Sequence, residues 1–140
     1  GWGYWTYSSG YKMNNDTSAS WGVDATSGDI ISVALDLDNL KIYIAKNGTW
    51  MESGDPTSGS TGTGSMYTLT AVASTFDKAY FPVFGDSSSS KYATWDVNFG
   101  NPTFAISSSN ADANGYGKFE YAVPSGYYAI CSKNVGQYGG

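Results

Sequence analysis

Residues able to do covalent or acid–base chemistry are few in this chain and lie far apart. There is no histidine and no arginine among its 140 residues, and the only glutamates are Glu52 and Glu120. Hydrolysis of a glycosidic bond needs two carboxyl groups at a set separation. Glu52 falls in a Gly/Ser-rich loop and Glu120 on the outward face of an expected strand, so no catalytic residue is assigned and no enzymatic activity is expected. Cys131 is the single cysteine. With no histidine to activate it, it reads as a small buried apolar side chain, and it says nothing about redox compartment. Asp36 and Asp38 share a strand face and, with Asn39, offer oxygen ligands of the kind Ca²⁺ takes. Lys41 is expected across from Asp36, however, and Asp38 sits in a turn, where aspartate is common for local reasons. Asn110, Asp112 and Asn114 are spaced like a calcium loop but lack its closing glutamate. No metal and no cofactor is assigned.

Recognition is the chemistry that remains. The opening run Gly1-Trp2-Gly3-Tyr4-Trp5-Thr6-Tyr7-Ser8-Ser9-Gly10-Tyr11 is dense in aromatics. If it is extended, Trp2 and Tyr4 share one face while Trp5 and Tyr7 share the other, because strand side chains alternate. Sugars stack on such rings beside Asp and Asn acceptors, and Tyr and Trp also anchor protein interfaces. The candidate contact residues are therefore Trp2, Tyr4, Tyr11, Asn14, Asn15, Asp16, Trp50 and Asp55. The plainer alternative makes Trp5, Tyr7 and Trp21 core packing.

Charge narrows the partners. The net charge is −5 and the seven cations are all lysine. Without arginine there is no bidentate reader of phosphate or guanine, and the acidic balance repels anionic surfaces. Neither nucleic acid nor a membrane is expected as a partner. No apolar run approaches the length of a membrane span.

Positioning falls to strands. Period-two segments recur between Gly/Ser/Asn clusters and helical periodicity is hard to find, which predicts an all-β antiparallel sandwich of two sheets. In the clearest case a turn at Asp38-Asn39 pairs Leu37 with Leu40, Leu35 with Ile42 and Val33 with Ile44 on one face. The opposite face then pairs Asp36 with Lys41, Ala34 with Tyr43 and Ser32 with Ala45. A slip of one residue would set core residues opposite polar ones, so the pattern fixes the register. The Leu35, Leu37, Leu40 and Ile42 face is expected to form the dry layer. Further strands are expected at residues 66–73, 80–84, 94–99, 118–123 and 127–131. Long loops are expected at 8–26, 52–65 and 107–117, with a hairpin tip at 86–90.

These elements occur in a known order. Trp21, Gly28-Asp29-Ile30-Ile31, Leu35-Asp36-Leu37-Asp38, Lys46-Asn47-Gly48, Phe81-Pro82-Val83 and Asn98-Phe99-Gly100 with Phe104 together resemble the SPRY domain. The Ser53-Gly54-Asp55-Pro56 loop and the ending Gly117-Lys118-Phe119-Glu120-Tyr121 to Asn134 resemble the subset found in tailed-phage and marine viral proteins. The resemblance implies a concanavalin-like sandwich over residues 1–134, with 135–140 a Gly-rich tail or linker. It implies a non-catalytic module on a virion surface, such as a tail fibre or capsid, that meets a host-surface glycan, a protein receptor or neighbouring virion subunits. Two departures stand out. The family's first strands are missing before Trp2, which implies a fragment or a neighbouring chain that supplies them. Leu40 also stands where the family has glycine, which the proposed pairing explains as a core residue facing Leu37. A purely structural subunit that self-assembles through shared strand edges is the rival reading.

Overall fold

A computed structural model describes residues 1–6, 9–72, 79–86 and 92–138. It is an all-β structure of two antiparallel sheets, one of three strands and one of four, with a single short α-helix among the described residues. Tyr7 and residues 87–90 of the expected tip lie outside the described residues.

The first sheet runs β1 (Trp2–Trp5), β2 (Tyr11–Asn14), β3 (Thr17–Ser20) in spatial order. The expectation of a loop over 8–26 is therefore corrected. Asn15 and Asp16 both take positive φ, 46° and 61°, as the tight two-residue hairpin turn requires, so the chain reverses there and β3 pairs back on β2. That turn chemistry was present in the sequence.

The second sheet holds β4 (Ile31–Asp36), β5 (Lys41–Lys46), β6 (Thr49–Trp50) and β7 (Tyr67–Thr68), with β5 central. The β4–β5 register is the one read from the sequence: Ser32 faces Ala45, Val33 Ile44, Ala34 Tyr43, Leu35 Ile42 and Asp36 Lys41. The turn is not. The ladder ends at Asp36–Lys41, and the positive φ falls on Leu40 (56°) rather than on Asp38 and Asn39. Asp36 instead accepts the Asn39 backbone N–H and side-chain amide, both at 2.9 Å, which holds a wider turn. Leu40 thus adopts the left-handed backbone that glycine suits best.

The motifs Gly28-Asp29-Ile30 and Lys46-Asn47-Gly48 form one knot. Lys46 Nζ lies 2.9 Å from Asp29, and the Asn47 amide donates to Asp29 at 2.6 Å. Ile30 N–H donates to Asn47 Oδ1 at 2.8 Å, and Asn47 N–H donates to the Ile30 carbonyl at 2.9 Å.

The core lies between the sheets. Trp21, Ile44, Met51 and Met66 are buried together, with Tyr4, Ile31, Ile42 and Tyr67 packed around them. Only part of the expected dry face takes part, because β4 is an edge strand. Val33 and Leu37 are 56% and 55% exposed, and Leu35, Leu40 and Ile42 are half-buried. The opposite face, expected to be outward, is the better buried: Ala34, Tyr43 and Ala45 are almost inaccessible. The 51–65 segment covers it. Trp50 meets the Tyr43 ring edge-on at 6.5 Å, and the Tyr127 hydroxyl donates to the Pro56 carbonyl at 2.8 Å across the same face.

Several expected strands are absent among the described residues. In 66–72 only β7 forms, residue 73 lying outside the described residues, and residues 80–84 and 94–99 have no ladder. Phe81 and Val83 are 79% and 86% exposed, and Pro82 brings no N–H with which to recruit a partner. The two limbs still approach as a hairpin would: Phe84 lies 6.3 Å from Trp95, and Ala93 N–H donates to Asp86. Residues 118–123 retain one bridge, Asn110–Phe119, and 127–131 run without a partner strand among the described residues. Helix α1 (Ser132–Tyr138) occupies most of the stretch expected as a tail from residue 135.

Candidate functional site

The hairpin of β1 and β2 brings Trp2 directly opposite Asn14, with the Asn15-Asp16 turn just beyond. Two open hollows flank the half-buried Trp2. One, of about 420 Å³, is completed from the second sheet by Tyr67, Thr68 and Thr70. The other, of about 460 Å³, is walled by Gly3, Met13 and Asp16. Gly1, Trp2, Asn14 and Asn15 line both.

Contacts with neighbouring groups fix the walls. Tyr80 sits 6.1 Å from the Trp2 ring, and its hydroxyl donates to the Thr70 carbonyl at 2.5 Å. Asn14 spends its amide on the Gly1 carbonyl at 3.2 Å, while Thr68 accepts Lys41 Nζ at 2.6 Å. Lys12 is held at the Tyr67 wall: its Nζ donates to the Met66 carbonyl and lies 5.1 Å from the Tyr67 ring centroid. Among the described residues Asp16 is the one charged side chain in the lining. The arrangement offers an aromatic face beside amide, hydroxyl and carboxylate groups.

Of the residues singled out in the sequence, Trp2, Asn14, Asn15 and Asp16 come together here. The other four lie elsewhere. Tyr4 packs edge-on against Trp21 at 6.1 Å and donates its hydroxyl to the Val23 carbonyl. Burial pushes its hydroxyl pKa up, with Asp24 and Asp29 adding to the shift. Tyr11 pairs with Trp5 at the far end of the hairpin. Trp50 packs on Tyr43, and Asp55 accepts the Thr57 N–H and hydroxyl within the covering loop, which holds its carboxyl below the usual range. Tyr67, Thr68, Thr70 and Tyr80 were not singled out from the sequence.

Glu52, Glu120 and Asp112 are engaged elsewhere in the fold. Glu52 accepts the Gly22 N–H at 3.0 Å, and Glu120 binds Ser107 and Ser108, which lowers its pKa. Asp112 accepts N–H groups from Asn114, Tyr116, Ala129 and Asn134. Comparison with family models, with curated proteins and with solved structures returns no match.

Proposed function

We propose that this protein is a non-catalytic binding module and that the hollows beside Trp2 take a neutral glycan. The observation that carries the reading is the juxtaposition of the Trp2 ring with Asn15, Asp16 and Thr70, whose side chains make no hydrogen bond among the described residues. A sugar presents C–H groups to an aromatic face and hydroxyls to acceptors at its rim. The Asp16 carboxylate at the second hollow disfavours anionic sugars there. Both glutamates are engaged with loop groups, Glu52 with Gly22 and Glu120 with Ser107, which supports binding without hydrolysis. The SPRY resemblance adds the setting: a virion surface, with the ligand on the host.

A glycan array followed by titration of tryptophan fluorescence tests this. Neutral glycans should bind, Trp2→Ala should abolish the signal, and Asn15→Ala with Asp16→Ala should weaken it about tenfold or more. Failure of every neutral glycan to bind, or binding untouched by Trp2→Ala, overturns it.

A further inference from the structure

Among the described residues, strand β4 pairs with β5 on one side only. Antiparallel ladders alternate hydrogen-bonded and non-bonded pairs. Asn47 N–H donates to the Ile30 carbonyl, and Met66 N–H approaches the Ile42 carbonyl from the other side of β5. Ser32, Ala34 and Asp36 therefore bond to β5, whereas Ile31, Val33 and Leu35 point their N–H and C=O groups outward. Among the described residues nothing accepts or supplies those hydrogen bonds. Beside this open edge Ile30, Val33 and Leu37 are 39%, 56% and 55% exposed. Natural edges are blunted by lysine, proline, a bulge or an inward charge, and between Ile30 and Leu35 there is none of these.

We infer that the β4 edge is a homotypic interface, at which two copies pair antiparallel about a two-fold axis through Ala34. The two-fold sets Val33 against Leu35 of the second copy and Ile31 against its Leu37, so both contacts occur twice, as an isologous interface requires. Ile31, Val33 and Leu35 are the residues whose backbone groups face outward and whose side chains share one face, with Leu37 following in the turn, so apolar contacts run across both molecules. On the other face Ala34 meets Ala34, small enough for the close approach of a non-bonded pair, and Asp36 meets Ser32, a hydroxyl donor. No like charges oppose each other, which matters between chains that each carry −5. A single strand edge buries less than the roughly 1,200 Å² of a standard interface, so the dimer is weak and reversible.

Sedimentation velocity from about 10 µM to about 1 mM tests the interface. Wild type should pass from monomer to dimer. Val33→Lys with Leu37→Lys, both at exposed positions, should raise the dissociation constant at least tenfold, about 1.4 kcal/mol, with an unchanged circular dichroism spectrum. Hydrogen exchange on the unaltered protein supplies an independent reading: the Val33 and Leu35 amides should gain protection with concentration, and the Ser32 and Ala34 amides should not. A monomer throughout, self-association equally tight in the variant, or Val33 and Leu35 protection that ignores concentration would each overturn the inference.

Discussion

Val33 stands directly across the ladder from Ile44, yet Val33 is 56% exposed and Ile44 only 4%. Both side chains are on the same face of the sheet. The difference is what lies above them: Ile44, on the central strand, is roofed by Trp21, Met51 and Met66, and that roof stops short of the edge. Truncation should separate the two. Ile44→Ala removes packed methyl groups and leaves a cavity, costing about 2–5 kcal/mol. Val33→Ala should fall within about 0.5 kcal/mol of wild type. Urea unfolding of the dilute protein measures both.

Leu40 makes a test of the opposite sign. A left-handed backbone costs a leucine about 1–2 kcal/mol, and φ of 56° places Leu40 there. Its carbonyl also accepts the Leu69 N–H at 2.7 Å, so the conformation is held from outside the turn. Leu40→Gly should therefore stabilise the protein or leave it unchanged, despite losing a half-buried side chain. A Tm lowered by several degrees would contradict this account of the turn.

What the sequence revealed followed from locality. The pairing of Leu35 with Ile42 needs only two neighbouring strands and their alternation, and it was legible. Which face is buried was not. Ile42 and Ile44 alternate with Tyr43 and Ala45, so both faces of β5 are apolar and periodicity cannot rank them. The decision comes from Ser58, Pro56 and Tyr127, brought over Tyr43 by loop geometry. The cleft divides the same way. Trp2 and the Asn15-Asp16 turn could be found as an aromatic beside polar groups. Tyr67, Thr70 and Tyr80 arrive from the other sheet and its flank, and no spacing in the chain announces them.

The 51–65 cover depends on one close backbone approach. A Cβ on Gly64 would lie 2.5 Å from Gly54 Cα and 2.6 Å from the Glu52 carbonyl oxygen, and its φ is 62°. Backbone cannot yield as a flexible side chain can. Gly64→Ala should lift the loop from Tyr43 and cost more than the roughly 1 kcal/mol typical of a left-handed glycine position alone. Gly28→Ala is the control: its φ is also positive, at 91°, but nothing lies within 4 Å. Near-ultraviolet circular dichroism should report the loss of Tyr43 packing in the first variant and not in the second. Equal destabilisation of the two would remove the steric argument.

Asp112 is the acid-sensitive point of the C-terminal half. It is 6% exposed, and Oδ1 accepts the Asn114 and Tyr116 N–H groups while Oδ2 accepts Ala129 N–H and the Asn134 amide, all at 2.7–2.9 Å. Burial pushes its carboxyl up, but these four donors outweigh burial and the net shift is downward. A carboxyl lowered on folding contributes stability that is fully present above its unfolded value, about 3.9, and is lost as pH falls through the folded value. Asp29, Asp55 and Glu120 are lowered too, so only a difference isolates Asp112. Asp112→Asn turns an amide N–H₂ toward two N–H donors and should cost about 1–3 kcal/mol for each orphaned donor at neutral pH. The gap in Tm between wild type and the variant should then narrow from pH 6 towards pH 2, because wild type alone loses this contribution. A gap that stays constant across that range would mean the Asp112 carboxylate is not what ties residues 112–134 together.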